Sequence, residues 1–228
     1  RSAAPQPAVP LPIFRQDTVS IEAFGAVSGG HQLNTQNINN AIEDIHTKGG
    51  GVVLVPAGVW LSGPIVLKSN VNLHLAANAL LLFTKDFAQY PLVKTSWEGI
   101  PQMRNQSPIW ALNQQNIAIT GKGIIDGNGD AWRMVKKAKM TETQWKKLLA
   151  SGGVLNEKKD VWYPSESSLK GASFKDPGLV DEGKNEQFYR AVKDYLRPNM
   201  ILLEKCERIL LEGVTFQNSP AWCLHPLM

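Results

Sequence analysis

The chain has 228 residues, 43% of them apolar, and a formal net charge of +4. That length buries a sizeable core as one domain, and no apolar run is long enough to span a bilayer, so a soluble protein with no membrane partner is expected. Two cysteines and four scattered histidines exclude a disulfide framework and give no metal-ligand spacing, so no cofactor is implied.

Residues 1–16 are proline-rich and read as an extended tail, of the kind left when a secretory leader is removed. Val19–Val27 reads as a first strand running into a turn at Ser28-Gly29-Gly30. Thr35 is placed to cap a helix in which Ile38, Ala41, Ile42 and Ile45 share one face, and Gly49 stops it. A one-sided helix ahead of a solenoid suits the closing of its open end. A dimer interface is the alternative, and the oligomeric state is left open.

Val52–Val55, Ile65–Leu67, Val71–Leu75 and Ala79–Phe83 are each one strand long. Gly, Pro, Ser and Asn separate them, without the Asn-Gly or Asp-Gly pairs of tight hairpins. Apolar strands that are not hairpin-linked favour parallel pairing. Connections too short for crossover helices leave one arrangement, in which each strand pairs with the strand one coil later. The same signal, a turn residue followed by alternation, recurs at Asn70–Leu75, Asn116–Gly121 and Arg208–Phe216. The fold class predicted is all-β, a parallel β-helix over residues 17–228. A β-sandwich is the alternative.

Residues 131–198 interrupt the coils as an insertion. They carry 14 Lys or Arg against 9 Asp or Glu, a net of +5, which leaves −1 for the remainder. Trp132, Trp145, Trp162, Tyr163, Tyr189 and Tyr195 lie among them. Thr141 to Gln144 has capping-box spacing, and Asn185 could cap a helix over 186–196. The insertion reads either as a wall of a substrate groove, with cations for carboxylates and rings for sugar faces, or as a solvated excursion anchored by its aromatics. Its charge matches no nucleic-acid-binding module.

Several stretches, taken in order, resemble the polygalacturonases, glycoside hydrolase family twenty-eight. They are Thr35…Ala41-Ile42 with Gly49–Gly58, Leu67–Leu73, Gly121–Gly129, Arg197–Ile201, Cys206–Phe216 and Asn218–Pro226. The resemblance implies a right-handed, pectin-lyase-like parallel β-helix that hydrolyses α-galacturonosyl linkages of pectin by an inverting mechanism, in a secreted or periplasmic setting. The family's Asn-Thr-Asp, Asp-Asp, Gly-His-Gly and Arg-x-Lys motifs have no counterpart here: Asn34-Thr35 is followed by Gln36, and no Asp-Asp pair occurs. The resemblance therefore implies that the catalytic carboxylates lie beyond Met228, and that this sequence is an amino-terminal part, inactive alone.

No catalytic residue is assigned within the sequence. Asp126 reads as a turn former and Asp181-Glu182 as a solvated pair. The substrate-binding candidates are His225, Arg197 and Trp222. His225 hydrogen-bonds sugar or packs at the end of a coil. Arg197 pairs with a uronate or pins the insertion down by an ion pair. Trp222 is a sugar platform or, more in keeping with its type, core. Cys206 reads as a small buried hydrophobe. The alternatives for the whole are a non-catalytic carbohydrate-binding β-helix and an inactive fragment. A calcium-dependent pectate lyase lacks its carboxylate cluster here.

Overall fold

A computed structural model describes residues 10–227, so residues 1–9 of the expected tail lie outside the described residues. The chain opens with β1 (Thr18–Ser20), a 3-10 turn at Ile21–Phe24 and α1 (Thr35–Thr47). Four coils follow. The first is β2 (Gly51–Val55), β3 (Gly58–Ser62) and β4 (Ile65–Val66). The second is β5 (Val71–Leu75), β6 (Ala79–Phe83), a hairpin of β7 (Leu92–Trp97) and β8 (Ile100–Asn105), then β9 (Ile109–Leu112).

The third coil begins with β10 (Gln115–Gly121) and β11 (Ile124–Asp126). It then leaves the stack through β12 (Val135–Lys136), α2 (Glu142–Ala150), β13 (Val154–Leu155), β14 (Val161–Tyr163), α3 (Glu166–Ala172) and α4 (Glu186–Ala191), and returns as β15 (Ile201–Glu204). The fourth is β16 (Glu207–Glu212), β17 (Thr215–Gln217) and β18 (Leu224–Leu227).

Stacking gives three parallel sheets: β1-β2-β5-β10-β16, then β3-β6-β11-β17, then β4-β9-β15-β18. This is the parallel β-helix, not the sandwich. Antiparallel pairing among the described strands is confined to β7–β8 and β12–β14–β13, both outside the stack.

The register places like residues above one another. Val53, Leu73, Ile119 and Leu211 form one inward column, and Trp60, Leu81, Ile125 and Phe216 a second. The first three members of each column are buried, and each such side chain is worth about 1.5–3 kcal/mol of burial.

Corners are set by backbone sign. Asn70, Asn116 and Arg208 open successive coils at φ 64, 53 and 53°. Asn116 Nδ2 donates to Asn70 Oδ1 (3.0 Å), and Arg208 Nε donates to Asn116 Oδ1 (2.6 Å). Asparagine tolerates this left-handed conformation, which is why it marks the coil starts. At the opposite end of the first sheet, Gly121 has φ +112°, and a Cβ there would lie 2.0 Å from the Leu75 carbonyl oxygen.

Some local expectations are corrected. The first strand covers only Thr18–Ser20, because the chain turns at Ile21–Phe24 to bury Ile21. Asn34, not Thr35, is the cap residue of α1. Its side chain is turned back to Val27, while Thr35 Oγ1 accepts from Gly63 N at 2.6 Å. The helix after Asn185 ends at Ala191 instead of 196, and a separate 3-10 turn spans Lys193–Tyr195. The capping box at Thr141 and Gln144 is formed.

Candidate functional site

Three connections between the second and third sheets pile up at one corner of successive coils. They are residues 84–108 with the β7–β8 hairpin, residues 127–200, and residues 218–223. Between them lies a cleft of about 550 Å³ whose wall includes Trp97, Arg104, Trp132, Arg133, Tyr163, Tyr195 and Arg197, with Lys175 and Asp176.

The arginines are held by carbonyls and by a ring. The Arg104 guanidinium carbon sits 3.6 Å from the centroid of Trp97, and its Nη1 donates to the Arg197 carbonyl at 2.8 Å. Arg197 Nη1 donates to the Pro220 carbonyl at 3.0 Å, and Arg133 Nη2 to the Ser219 carbonyl at 2.6 Å. Burial pushes Arg104 down to about 10, partly offset by Asp176, so it remains charged at neutral pH. Burial also lowers Arg197, helped by the nearby charge of Arg133. Asp176 accepts from Gln102 Nε2 at 3.1 Å on each oxygen. It is the one carboxylate on the cleft wall among the described residues.

Buried polar atoms are normally paired, and one left unpaired costs about 1–3 kcal/mol. Among the described residues the unpaired buried side-chain atoms are Gln102 Oε1, Arg104 Nε, Asn105 Oδ1, Trp132 Nε1 and His225 Nδ1. Arg104 and Trp132 belong to the cleft wall, Gln102 supports Asp176, and His225 lies behind Trp97. Unspent hydrogen-bonding capacity is therefore concentrated at this corner.

The three sequence candidates converge here. Trp222 and His225 lie 6.0 and 6.1 Å from Trp97, centroid to centroid, and 5.9 Å from each other. Trp222 is 51% exposed, which corrects its reading as core. Its backbone is fixed by Asn199 Oδ1 and by Met200 N, and its indole is left outside. His225 is buried, and burial lowers its pKa. Arg197 reaches the Pro220 carbonyl and forms no ion pair among the described residues, so the pinning role falls to a hydrogen bond from its guanidinium to a neutral carbonyl.

Sequence reasoning missed Trp97 and Arg104. Their hairpin turns at Glu98-Gly99, with φ 52 and 85°, a pair outside the usual Asn-Gly or Asp-Gly signal. Asp126 forms the expected turn, with Oδ1 accepting from Asn128 N, and its Oδ2 also ties down Gln217 and Asn218. Asp181 is exposed and pairs with Lys184. Cys206 is half-buried and Cys223 exposed, both as free thiols. Among the described residues no group of three His, Cys, Asp or Glu is placed to hold a metal.

The class that the fold defines is a parallel β-helix solenoid, here with an arginine- and tryptophan-lined cleft at one corner. No protein-family model matches the chain. It is similar to a probable polygalacturonase of Vitis vinifera, 27% identical over 222 residues, which covers 93% of this chain and 35% of that protein. It is 37% identical over 129 residues to an exo-poly-alpha-D-galacturonosidase of Dickeya chrysanthemi, covering 53% of this chain and 21% of that one. Among solved structures it superposes on the hyperthermoactive exopolygalacturonase of Thermotoga maritima with a TM-score of 0.66 and 29% identity, covering 96% of this chain and 45% of the other. The resemblance to polygalacturonases thus extends over most of the chain, and the chain spans about a third of the grape relative's length.

Proposed function

We propose that this chain is part of a polygalacturonase-type glycoside hydrolase, and that the corner cleft binds galacturonosyl units of pectin. The observation that carries the reading is the row of three guanidiniums, Arg104, Arg133 and Arg197, on one cleft wall, each held by a carbonyl through one nitrogen and with further N–H donors to spare. A uronate offers what these groups lack, a carboxylate for guanidinium N–H groups. Sugar rings stack on aromatic faces, and exposed Trp222 beside Trp97 provides one. His225 contributes a ring nitrogen from below. Residues 131–198 serve as the groove wall, and α1 closes the first coil.

Glycoside hydrolysis by an inverting route needs two carboxyl groups on either side of the bond. The cleft presents Asp176 alone, so the described residues hold substrate while the acid and base are assigned outside them. Asp176 alone also favours the second reading, a carbohydrate-binding β-helix without turnover. A wall polymer as substrate places the protein outside the cytoplasm. Among the described residues no helix is long and apolar enough to cross a membrane.

Calorimetric titration with trigalacturonate and with neutral trigalactose tests the assignment. Binding of the acidic trimer, with weak or no binding of the neutral one, is expected. Equal affinity for the two removes the role given to the arginines.

A further inference from the structure

We propose that the protein carries a second, accessory surface for the same acidic polymer: a lysine-rich tip at the end of the β12–β14 ribbon, outside the cleft. This rests on the uronate-binding reading of the cleft and extends it. Residues 136–160 contain Lys136, Lys137, Lys139, Lys146, Lys147, Lys158 and Lys159 against Glu142, Glu157 and Asp160. All seven lysines are exposed, and none forms an ion pair among the described residues.

The fold gathers the charge of two separate sequence stretches. Lys136 pairs with Val161 across the ribbon, and Lys137 N donates to the Asp160 carbonyl at 2.8 Å. The turn carrying Lys158 and Lys159 is closed by Lys159 N on the Asn156 carbonyl and by Asn156 N on the Val161 carbonyl. Lys136, Lys137, Lys158 and Lys159 therefore surround one end of the small three-stranded sheet β12-β14-β13, the last two on the turn that joins β13 to β14. Of the local acids, Asp160 already accepts from Asn156 Nδ2.

The other end of that sheet is the cleft wall. Arg133 and Met134 precede β12, Tyr163 ends β14, and all three line the cleft. Two residues separate Arg133 from Lys136, so three steps along the chain, at most about 10 Å when extended, join them. That is close to the screening length at physiological salt, so the cationic field is continuous from cleft to tip. A polyuronate held in the cleft delivers its next carboxylates to these lysines. A nucleic acid has no such reason to engage the tip, since the cleft aligns uronate units and not bases.

The test compares the protein with its K136Q/K137Q/K158Q/K159Q variant, using long-chain polygalacturonate and trigalacturonate at low and high salt. The lysines are exposed and far from the stacked core, and an unchanged thermal midpoint checks that folding is retained. The variant is expected to lose about tenfold in affinity for the polymer at low salt, with a shallower salt dependence, and to keep its affinity for the trimer. Unchanged polymer affinity overturns the proposal. So does an equal loss for polymer and trimer, which would make the lysines part of the general field of the cleft. Duplex DNA bound more tightly than polygalacturonate, through the same lysines, overturns the choice of partner. Failure of the unaltered protein to bind trigalacturonate strikes the cleft reading instead, and the accessory role falls with it.

Discussion

Arg197 is where the site's geometry is most exposed to a single change. It is half-buried, burial and the like charge of Arg133 both work against its own charge, and only one of its donors is used, on the Pro220 carbonyl. Hydrogen bonds to a charged partner contribute about 1.5–3 kcal/mol, so Arg197→Ala is expected to weaken trigalacturonate binding by roughly ten- to a hundredfold, read by calorimetry. Arg197→Lys keeps the charge but loses the fork, and falls between the two. An unchanged dissociation constant in the alanine variant would remove Arg197 from the site.

His225 makes a different prediction. Its ring faces Trp97 and Trp222, with Glu98 and Glu204 favouring the proton and Arg104 opposing it, and burial is the largest influence, lowering its pKa from 6.5. The unfolded chain therefore binds that proton more readily than the folded one. Above pH 6.5 the contribution to stability is fully present, and it is lost as the pH falls below that value. His225→Asn should flatten the fall of the thermal midpoint between about pH 7 and pH 5. Identical slopes in the two proteins would mean that His225 keeps its ordinary pKa.

Among the elements, α1 has the largest stake in the fold. Ile38, Ala41, Ile42 and Ile45 are fully or almost fully buried and join the same core cluster as Val53, Leu73 and Ile65. Ile42→Ala should cost about 2–5 kcal/mol in urea unfolding, as expected when a buried isoleucine leaves a cavity. A loss under 1 kcal/mol would show that α1 lies on the coil end without sealing it. This helix was legible because its periodicity is local, and so were the coils, whose asparagine turns and alternating strands repeat. The capping box of α2 was legible for the same reason. The cleft was not. Trp97 and Arg104 lie about a hundred residues from Arg197 and Trp222, and only the stacking of successive coils brings them together. The sequence still pointed to Arg197, Trp222 and His225, through motif resemblance and not through any pattern that predicts an aromatic cluster. Thr35 misled for a converse reason: its hydroxyl was taken by Gly63 N, from the bend after β3 that no local rule could bring near.

At the scale of the whole molecule, binding and turnover separate. The stack and its insertions line the cleft with one carboxylate among the described residues, Asp176, and that carboxylate already accepts from Gln102 Nε2. An inverting hydrolase needs an acid and a base about 6.5–9.5 Å apart. A single carboxylate cannot fill both roles, and the family's catalytic motifs are absent from the 228 residues. The purified chain is therefore expected to bind polygalacturonate and release no reducing ends, with tryptophan fluorescence changing on binding because Trp97 lines the cleft and Trp222 is exposed beside it. Reducing-sugar release together with a fluorescence response would mean that Asp176 works with a partner carboxylate drawn in by the substrate. Asp176→Asn would then abolish the release and leave the fluorescence response in place. Silence in both assays would instead show that the arginine wall does not recognise uronates.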